Sequence, residues 1–501
     1  MTSLDQLVSG LGNALTPEYL LFALIGCVLG QLVGVLPGVG PTAGIAVLIP
    51  LTFKLDPTGA IIMLAAIYYG AMYGGTITSV LLNTPGEAAS VVTTLDGYQM
   101  ARQGRGGVAL GISAIGSFVG GTIATFGLVL VAPPLAQFAL RFGPAEQFAL
   151  LILGLSMLIG LTGRSVVLGL IMGIMGLMLG LVGLDPVIGA PRLTFGIVNL
   201  FDGIEFVTVA MGLFGISEIL LNLEHPAMKI FETKVANLFP RRDEWRRASG
   251  SILRGTGLGF VLGLIPGTNS AIASFLSYVV ERRFTKQPLG TGAIEGVAAP
   301  ETANNAYTSA ALIPLFTLGI PSSPAIAVLM GAFIINGLVP GPLLFRDNPT
   351  FVWTVIASLY IGNAILLMMN LPLVGLWVQV LKIPYPILMV LILVFSIVGS
   401  FSLSGSMFDV GTMFLFGVLG YFFKKLDLPM APLILALVLG PLIERSLRTS
   451  LEISGGQLAI FYTNPIVVTL LGIAAIVLVG SALPILSLRR TQVAASEEAE
   501  I

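Results

Sequence analysis

The stretch Gly34-Val-Leu-Pro-Gly-Val-Gly-Pro-Thr-Ala43 returns, altered, as Gly263-Leu-Ile-Pro-Gly-Thr-Asn-Ser-Ala271. Each copy interrupts apolar sequence with Pro-Gly, which removes a backbone donor and supplies a residue free to turn. A second proline follows each copy inside apolar sequence, in Leu82-Asn-Thr-Pro-Gly-Glu87 and in Leu318-Gly-Ile-Pro-Ser-Ser323. The two pairs of prolines are separated by nearly the same distance, so the chain reads as an internal duplication. Pro-Gly pairs could also be plain kinks, since membrane helices tolerate them where neighbours satisfy the freed groups. Recurrence in both halves, with Asn, Ser or Thr after the break, favours a built feature.

Composition places these breaks in a bilayer. The 501 residues are 55% hydrophobic and only 10% charged, with a mean hydropathy of +0.97, against about 25% charged in soluble proteins. Lys+Arg 24 against Asp+Glu 25 leaves a formal net charge of -1, with no basic surface for nucleic acid. One cysteine, Cys27, and one histidine, His225, cannot build a disulfide framework, a zinc site or a His-based triad. No Walker A sequence is present, so energy must come from an ion gradient or another subunit. The first 17 residues lack a basic n-region, so no cleavable signal is expected and the first span is expected to be retained.

The expected fold is an all-α polytopic membrane protein of about a dozen membrane elements in two inverted repeats, each with a re-entrant Pro-Gly hairpin. Residues 1–222 form the first repeat, with a hairpin near 18–53 and a broken helix near 58–100. A basic cytoplasmic linker covers 223–250. The second repeat covers 251–490, with a hairpin near 251–280 and a broken helix near 292–345, and 491–501 is a polar tail. Bases flank Ser251–Val280 on both sides: Arg254 and its neighbours before, Arg282, Arg283 and Lys286 after. With both flanks cytoplasmic, each arm of about 14 residues rises only about 21 Å, short of a core of roughly 30 Å. Counting back through spans near 203–222, 165–183, 145–162, 107–132 and 58–81 puts Arg102 and Arg105 inside and Lys54 outside, so the first hairpin opens from the opposite face. Arg445 and Arg448 run against that count, and Asp96 with Arg102 and Arg105 reads as an interfacial loop.

The candidate chemistry sits at the breaks. New half-helices after Pro37 and Pro266 offer N–H groups and partial positive charge to an anion. Gly38, Gly40, Gly86 and Gly267 allow close backbone approach, while Thr42, Thr268, Asn269 and Ser270 add side-chain donors. No Lys or Arg stands at either tip, so dipoles and hydroxyls would hold the anion. Oxygens of Asn83, Thr84, Asn269, Asn304, Asn305, Ser322 and Ser323 suit Na⁺. Adjacent Asn304 and Asn305 inside a span are costly unless paired; they could ligate a cation or glue helices together. Glu301 is an intramembrane carboxylate that could carry a proton or help hold Na⁺, or else cap the helix or pair with a base. Glu87 and Glu295 are further acids in or near apolar segments.

Several of these runs, namely Gly34–Ala43, Asn83-Thr-Pro-Gly-Glu-Ala-Ala-Ser90, Leu95-Asp-Gly-Tyr98, Ala101-Arg-Gln-Gly104, Ala299-Pro-Glu-Thr-Ala-Asn-Asn305, Gly337-Leu-Val-Pro-Gly-Pro-Leu-Leu-Phe345 and Ser454-Gly-Gly456, resemble the large membrane subunit of the tripartite tricarboxylate transporters. The resemblance runs from about residue 15 to 485. It implies a multi-pass permease of the bacterial inner membrane that works with a small four-span membrane subunit and a periplasmic solute-binding protein. It also implies import of a di- or tricarboxylate such as citrate with Na⁺ or H⁺ as coupling ion, and no other cofactor. Homodimerisation stays open. The family usually reads Ile-Pro-Gly-Ser where this chain has Ile320-Pro-Ser-Ser323, a change expected to narrow backbone freedom there. The alternative is a cation-coupled permease for another small organic anion, with an intramembrane enzyme or a channel well behind it.

Overall fold

A computed structural model describes residues 2–36, 39–161, 165–185, 187–224, 237–380 and 385–482. Pro37 and Gly38, residues 225–236 of the polar linker, and the tail at 491–501 lie outside the described residues. In chain order the helices are α1 (Ser3–Ala14), α2 (Pro17–Val35), α3 (Gly40–Leu48), α4 (Pro57–Leu82), α5 (Val91–Arg102), α6 (Gly106–Ala139), α7 (Pro144–Leu161) and α8 (Val166–Gly180). After paired two-residue strands at Gly183–Leu184 and Pro191–Arg192 come α9 (Phe206–Ala210) and α10 (Ser217–Asn222), joined by a π-helical segment, Met211–Ile216. The remainder is α11 (Arg242–Gly263), α12 (Ser270–Glu281), α13 (Glu295–Ala310), α14 (Leu312–Leu318), α15 (Pro324–Ile335), α16 (Pro342–Asp347), α17 (Pro349–Asn370) and α18 (Val374–Val380), then α19 (Tyr385–Ser404), α20 (Met407–Lys425), α21 (Met430–Ile453), α22 (Ile460–Thr463) and α23 (Pro465–Ala482).

Among the described residues, 7 helices are long and apolar enough to cross a membrane; other apolar helices are shorter. Large apolar side chains of α19, α20 and α23, among them Val394, Val398, Leu415 and Ile476, are exposed, as expected of surfaces that meet lipid rather than water. The centre is unlike them. The apolar window of α4 is completely buried, and so is every residue of α13, although α13 reads Glu-Gly-Val-Ala-Ala-Pro-Glu-Thr-Ala-Asn-Asn-Ala-Tyr-Thr-Ser-Ala. Such a polar helix is stable at this depth only because its neighbours supply partners.

Glycines set the direction of these central helices. A methyl group on Gly26, Gly30 or Gly34 of α2 would strike the backbone of Met63, Ile67 or Ala71 of α4 at 2.4, 2.3 and 2.2 Å. Both series ascend together, so α2 and α4 run parallel and α3 brings the chain back between them. The second half repeats the device: Gly255, Gly259 and Gly263 of α11 lie against Ala299, Ala303 and Tyr307 of α13, so α12 is the returning arm. Close approach of backbones through small residues is how helices associate where apolar burial offers little. Between the halves the sense reverses. Thr76 meets Glu301 and Tyr69 meets Ser309, so α4 and α13 are antiparallel. Each returning arm packs on the other half: α3 on α15, and α12 on the 3₁₀ turn at Ala88–Ser90.

Two expectations are corrected here. The span expected to end near 132 runs through Pro133-Pro134 to Ala139, since a membrane helix tolerates proline where local adjustment and neighbouring helices satisfy the freed backbone groups. Asp96 belongs to no interfacial loop. It is fully buried in α5 and accepts from the N–H groups of Gly290, Gly292 (2.8 Å) and Ala293 (2.7 Å) and from Tyr278 Oη (2.9 Å). It thereby fixes the chain entering α13. Its binding donors lie far away in sequence, beyond the reach of local reading. Asp96→Ala strands buried donors at about 1–3 kcal/mol each, so it should lower the melting temperature of the purified protein sharply; an unchanged melting curve would contradict this role.

Charges collect at two ends. Gln103 Nε2 donates to Thr291 O (2.8 Å), Arg105 pairs with Glu244, Arg247 with Glu295 (3.5 Å) and Arg254 with Glu281 (2.6 Å). At the far end of α6, Ala139 shares a cavity with Arg445. Nearby, Arg448 binds Asp185 (2.7 Å) and Glu444 (2.7 Å), and Arg192 binds Glu444 (2.7 Å). Arg448, with the N–H groups of Val187 and Ile188, holds the Asp185 carboxyl well below the usual carboxylate range. The pair therefore stays ionised at neutral pH and is lost only as pH falls through that depressed value.

Candidate functional site

The two downstream breaks are built alike. Helix α4 ends on Asn83 in the left-handed region (φ 55), and α14 ends on Gly319 (φ 69). Two residues later Pro85 and Pro321 forbid continuation. Two residues further, Glu87 (φ -149, ψ 164) and Ser323 (φ -146, ψ 167) start the next helical turn in almost identical backbone geometry. At the hairpin tips, Gly40 (φ 62) opens α3, and Gly267 (φ 82) precedes Asn269, whose Oδ1 caps α12 by accepting from Ile272 N at 2.8 Å.

All four segments line one cavity of about 390 Å³. Gly40 and Thr42 come from the first tip, Gly86 and Glu87 from the first break, Asn269 and Ser270 from the second tip, and Ser323 from the second break. The N-termini of α3, α12 and α15 open at it, and each presents unpaired N–H groups and partial positive charge. Convergence of three helix starts gives the cavity an electrostatic character suited to anions.

Other candidates serve this arrangement from behind. Thr268 Oγ1 donates to the carbonyls of Leu262 (2.7 Å) and Ile265 (2.8 Å), and Ser322 Oγ to Ala311 O (2.7 Å). Thr268 thereby satisfies carbonyls at the end of α11 and Ser322 one at the junction of α13 and α14, and neither lines the cavity. Ser322 is fully buried and its φ is not in the left-handed region, so the backbone there does not need a glycine. Gly267 lies against the backbone of Met157, where a Cβ would come within 2.5 Å. Asn83 caps α4, and Thr84 Oγ1 donates to Leu82 O (3.3 Å).

The tips carry no base, yet the cavity has one. Lys424 enters from α20 and pairs with Glu218 of α10, with Phe214 of the π-helical segment beside them. π-Helical turns recur at functional sites, and here one sits directly before Glu218. Tyr68 and Met72 of α4 complete the wall. Sequence reading missed Lys424 because a lysine at the end of an apolar helix reads as an interfacial anchor.

The three residues expected at an ion site separate. Glu301 accepts from Thr76 Oγ1 (2.6 Å), Thr93 Oγ1 and Ser113 Oγ (3.3 Å); it sits mid-helix and, among the described residues, pairs with no base. Asn305 Nδ2 donates to Ser117 Oγ (2.7 Å), so both face α4, α5 and α6. Asn304 points the other way, its Nδ2 donating to Glu87 Oε1 at 2.9 Å. The amide oxygens of both asparagines are buried without a hydrogen-bond partner.

The tripartite tricarboxylate transporter TctA family matches residues 20–435, a stretch holding both hairpins, both breaks and Lys424. The chain belongs to this family. It is thus a membrane component of a transporter, and tripartite systems of this family add a periplasmic binding protein and a small membrane subunit. Among curated relatives, an uncharacterized 52.8 kDa protein in the TAR-I ttuC' 3'region of Agrobacterium vitis is 46% identical over 501 residues, 99% of this chain and 100% of the relative. An uncharacterized protein in the TAR-II ttuC' 3'region of Agrobacterium vitis is 45% identical over 237 residues, 47% of this chain and 98% of the relative. No solved structure matches.

Proposed function

We propose that this chain is the permease of a secondary active transporter in a bacterial inner membrane, importing a citrate-like di- or tricarboxylate with Na⁺ or H⁺. A periplasmic binding protein delivers the substrate, and the small four-span subunit accompanies the permease. The observation that carries this reading is the convergence of four helix breaks, two from each half, on one cavity. Helix N-termini oriented towards a shared cavity are the way broken helices hold anionic groups in secondary transporters. Gly40, Thr42, Gly86, Asn269, Ser270 and Ser323 face the substrate. Asn83, Thr84, Gly267, Thr268 and Ser322 shape the breaks, and Asn304, Asn305 and Glu301 form the polar layer that serves coupling.

The antiparallel pairing of α4 with α13, each with a parallel partner and a returning arm, supports two inverted repeats with re-entrant hairpins. The bases around Arg105, Arg247 and Arg254 mark the cytoplasmic end by the positive-inside rule. Arg445 and Arg448 then lie outside and run against the rule, with Arg448 paired to Asp185 and Glu444. Arg242 and Lys286 are both exposed; cysteines placed there should both label from the cytoplasmic face, and labelling from opposite faces would contradict the hairpin.

Uptake of labelled citrate into proteoliposomes holding the permease, the small subunit and the binding protein tests the function. Saturable accumulation that collapses with the Na⁺ or proton gradient is expected. Flux that neither saturates nor needs the binding protein would indicate a channel instead.

A further inference from the structure

The cavity assigned to a carboxylate carries two carboxylates, Glu87 and Glu218, and one ammonium, Lys424. Glu218 is committed to Lys424 and to Asn222 Nδ2 (2.9 Å), which leaves Glu87 as the uncompensated charge. A wall of net negative charge opposes its own cargo, and an unpaired buried carboxylate is costly in itself. Glu87 is 6% exposed. Among the described residues, the elements around it offer it no cation. Helix α4 presents Tyr68; α13 presents Tyr307 and a second acid, Glu301; Asp96 of α5 is bound to the 290–293 backbone; Glu281 of α12 is held by Arg254.

Capping alone does not explain an acid at this position. The equivalent residue in the other half is Ser323, which starts its helix in the same backbone geometry. The carboxylate reaches further, to Asn304 Nδ2 at 2.9 Å. Beside this contact stand buried oxygens with no hydrogen-bond partner, Asn304 Oδ1 and, on the cavity wall, Tyr68 Oη. A proton shared between Glu87 and the Asn304 oxygen would neutralise the carboxylate but leave Tyr68 Oη on the cavity wall without a partner. A cation shared by the carboxylate and the amide oxygen satisfies both, and hard oxygen donors suit an alkali ion.

We propose that Glu87 and Asn304 hold a monovalent cation of the Na⁺ class in the cavity wall, and that a carboxylate substrate binds only beside that cation. The inference rests on the carboxylate-transport reading and moves the coupling group from Glu301, which faces away, to Glu87. By linkage, the cation raises substrate affinity and the substrate raises cation affinity by the same factor.

The test is binding to the purified full-length permease in nanodiscs, with citrate and succinate as probes and choline replacing Na⁺. Wild-type affinity for a probe should rise at least about tenfold from Na⁺-free to saturating Na⁺, and the probe should increase retention of ²²Na⁺. Glu87→Gln, checked for folding by its melting curve, should bind the probe with an affinity that ignores Na⁺. Glu87→Asp should keep the dependence, and Asn304→Ala should shift it to higher Na⁺; these two decide the matter if Glu87→Gln does not fold. Undiminished Na⁺ dependence in Glu87→Gln, or a wild-type affinity that follows pH without Na⁺, overturns the cation site while leaving the transport reading standing. Failure of the complete system, permease with small subunit and binding protein, to take up either probe under any ion condition overturns both.

Discussion

Gly86→Ala should abolish uptake, although it adds one methyl group and changes no charge. The added carbon would stand 2.1 Å from Gly34 O, 2.6 Å from Gly75 Cα and 2.9 Å from Thr78 Oγ1. Gly34 is itself locked, since its own Cβ position lies 2.2 Å from Ala71 O. The break can therefore make room only by parting α2 from α4, the contact that forms the first hairpin. Overpacking of this kind typically costs about 1–3 kcal/mol, with more where only backbone can yield. Gly40→Ala is the control. Gly40 also lines the cavity, but a Cβ there meets nothing within 4 Å, and the penalty is the left-handed φ alone, about 1–2 kcal/mol. Uptake and melting temperature measured together separate the two variants: Gly86→Ala should lose both, Gly40→Ala should lose little stability. Normal uptake by Gly86→Ala would mean that the first break is not seated as described.

Lys424 and Glu218 should respond in opposite directions. If Lys424 receives the carboxylate, Glu218 is its resting partner and competes with the substrate. Lys424→Gln should then raise the half-saturating carboxylate concentration on the order of 10- to 100-fold, the lower part of the range for losing one member of a charge pair, because the lysine is partly solvated. Glu218→Gln should lower it, having released the lysine. A purely architectural ion pair predicts that both substitutions weaken uptake alike, so initial rates over a range of citrate concentrations distinguish the two roles.

What sequence revealed and what it hid follow from the reach of each interaction. Pro85, Pro266 and Pro321 are legible because each stands close to a glycine that favours a turn, Gly86, Gly267 and Gly319, whereas Pro133-Pro134, without one, stay inside a helix. Their recurrence in order is the sign from which a duplication is read, and the polar run Glu301–Asn305 announced a buried layer because such residues are not left idle in an apolar span. The direction in which each side chain points was not legible. Thr268 and Ser322 look like ligands in a string of letters, yet their hydroxyls are bound to backbone carbonyls behind the cavity. Asn304 and Asn305 are neighbours in sequence, but on a helix they diverge by about 100°, so one meets Glu87 and the other Ser117. Lys424 and Glu218 meet through the packing of α20 on the π-helical segment. Nothing in the local sequence of either reports this. The amphipathic α1, docked on α17, also escaped a reading based on apolar runs.

The central claim is that the two halves contribute their broken helices to a single carboxylate site. Substrate protection tests it directly, with one cysteine at a time in place of Thr42 or Ala271, which line the cavity from opposite hairpins. The single native cysteine, Cys27, is fully buried, so the background should be low. In the presence of Na⁺, saturating citrate should slow maleimide labelling at both positions to the same degree and with the same half-maximal concentration. Protection at one position only, or at neither while uptake remains saturable, would contradict a shared site.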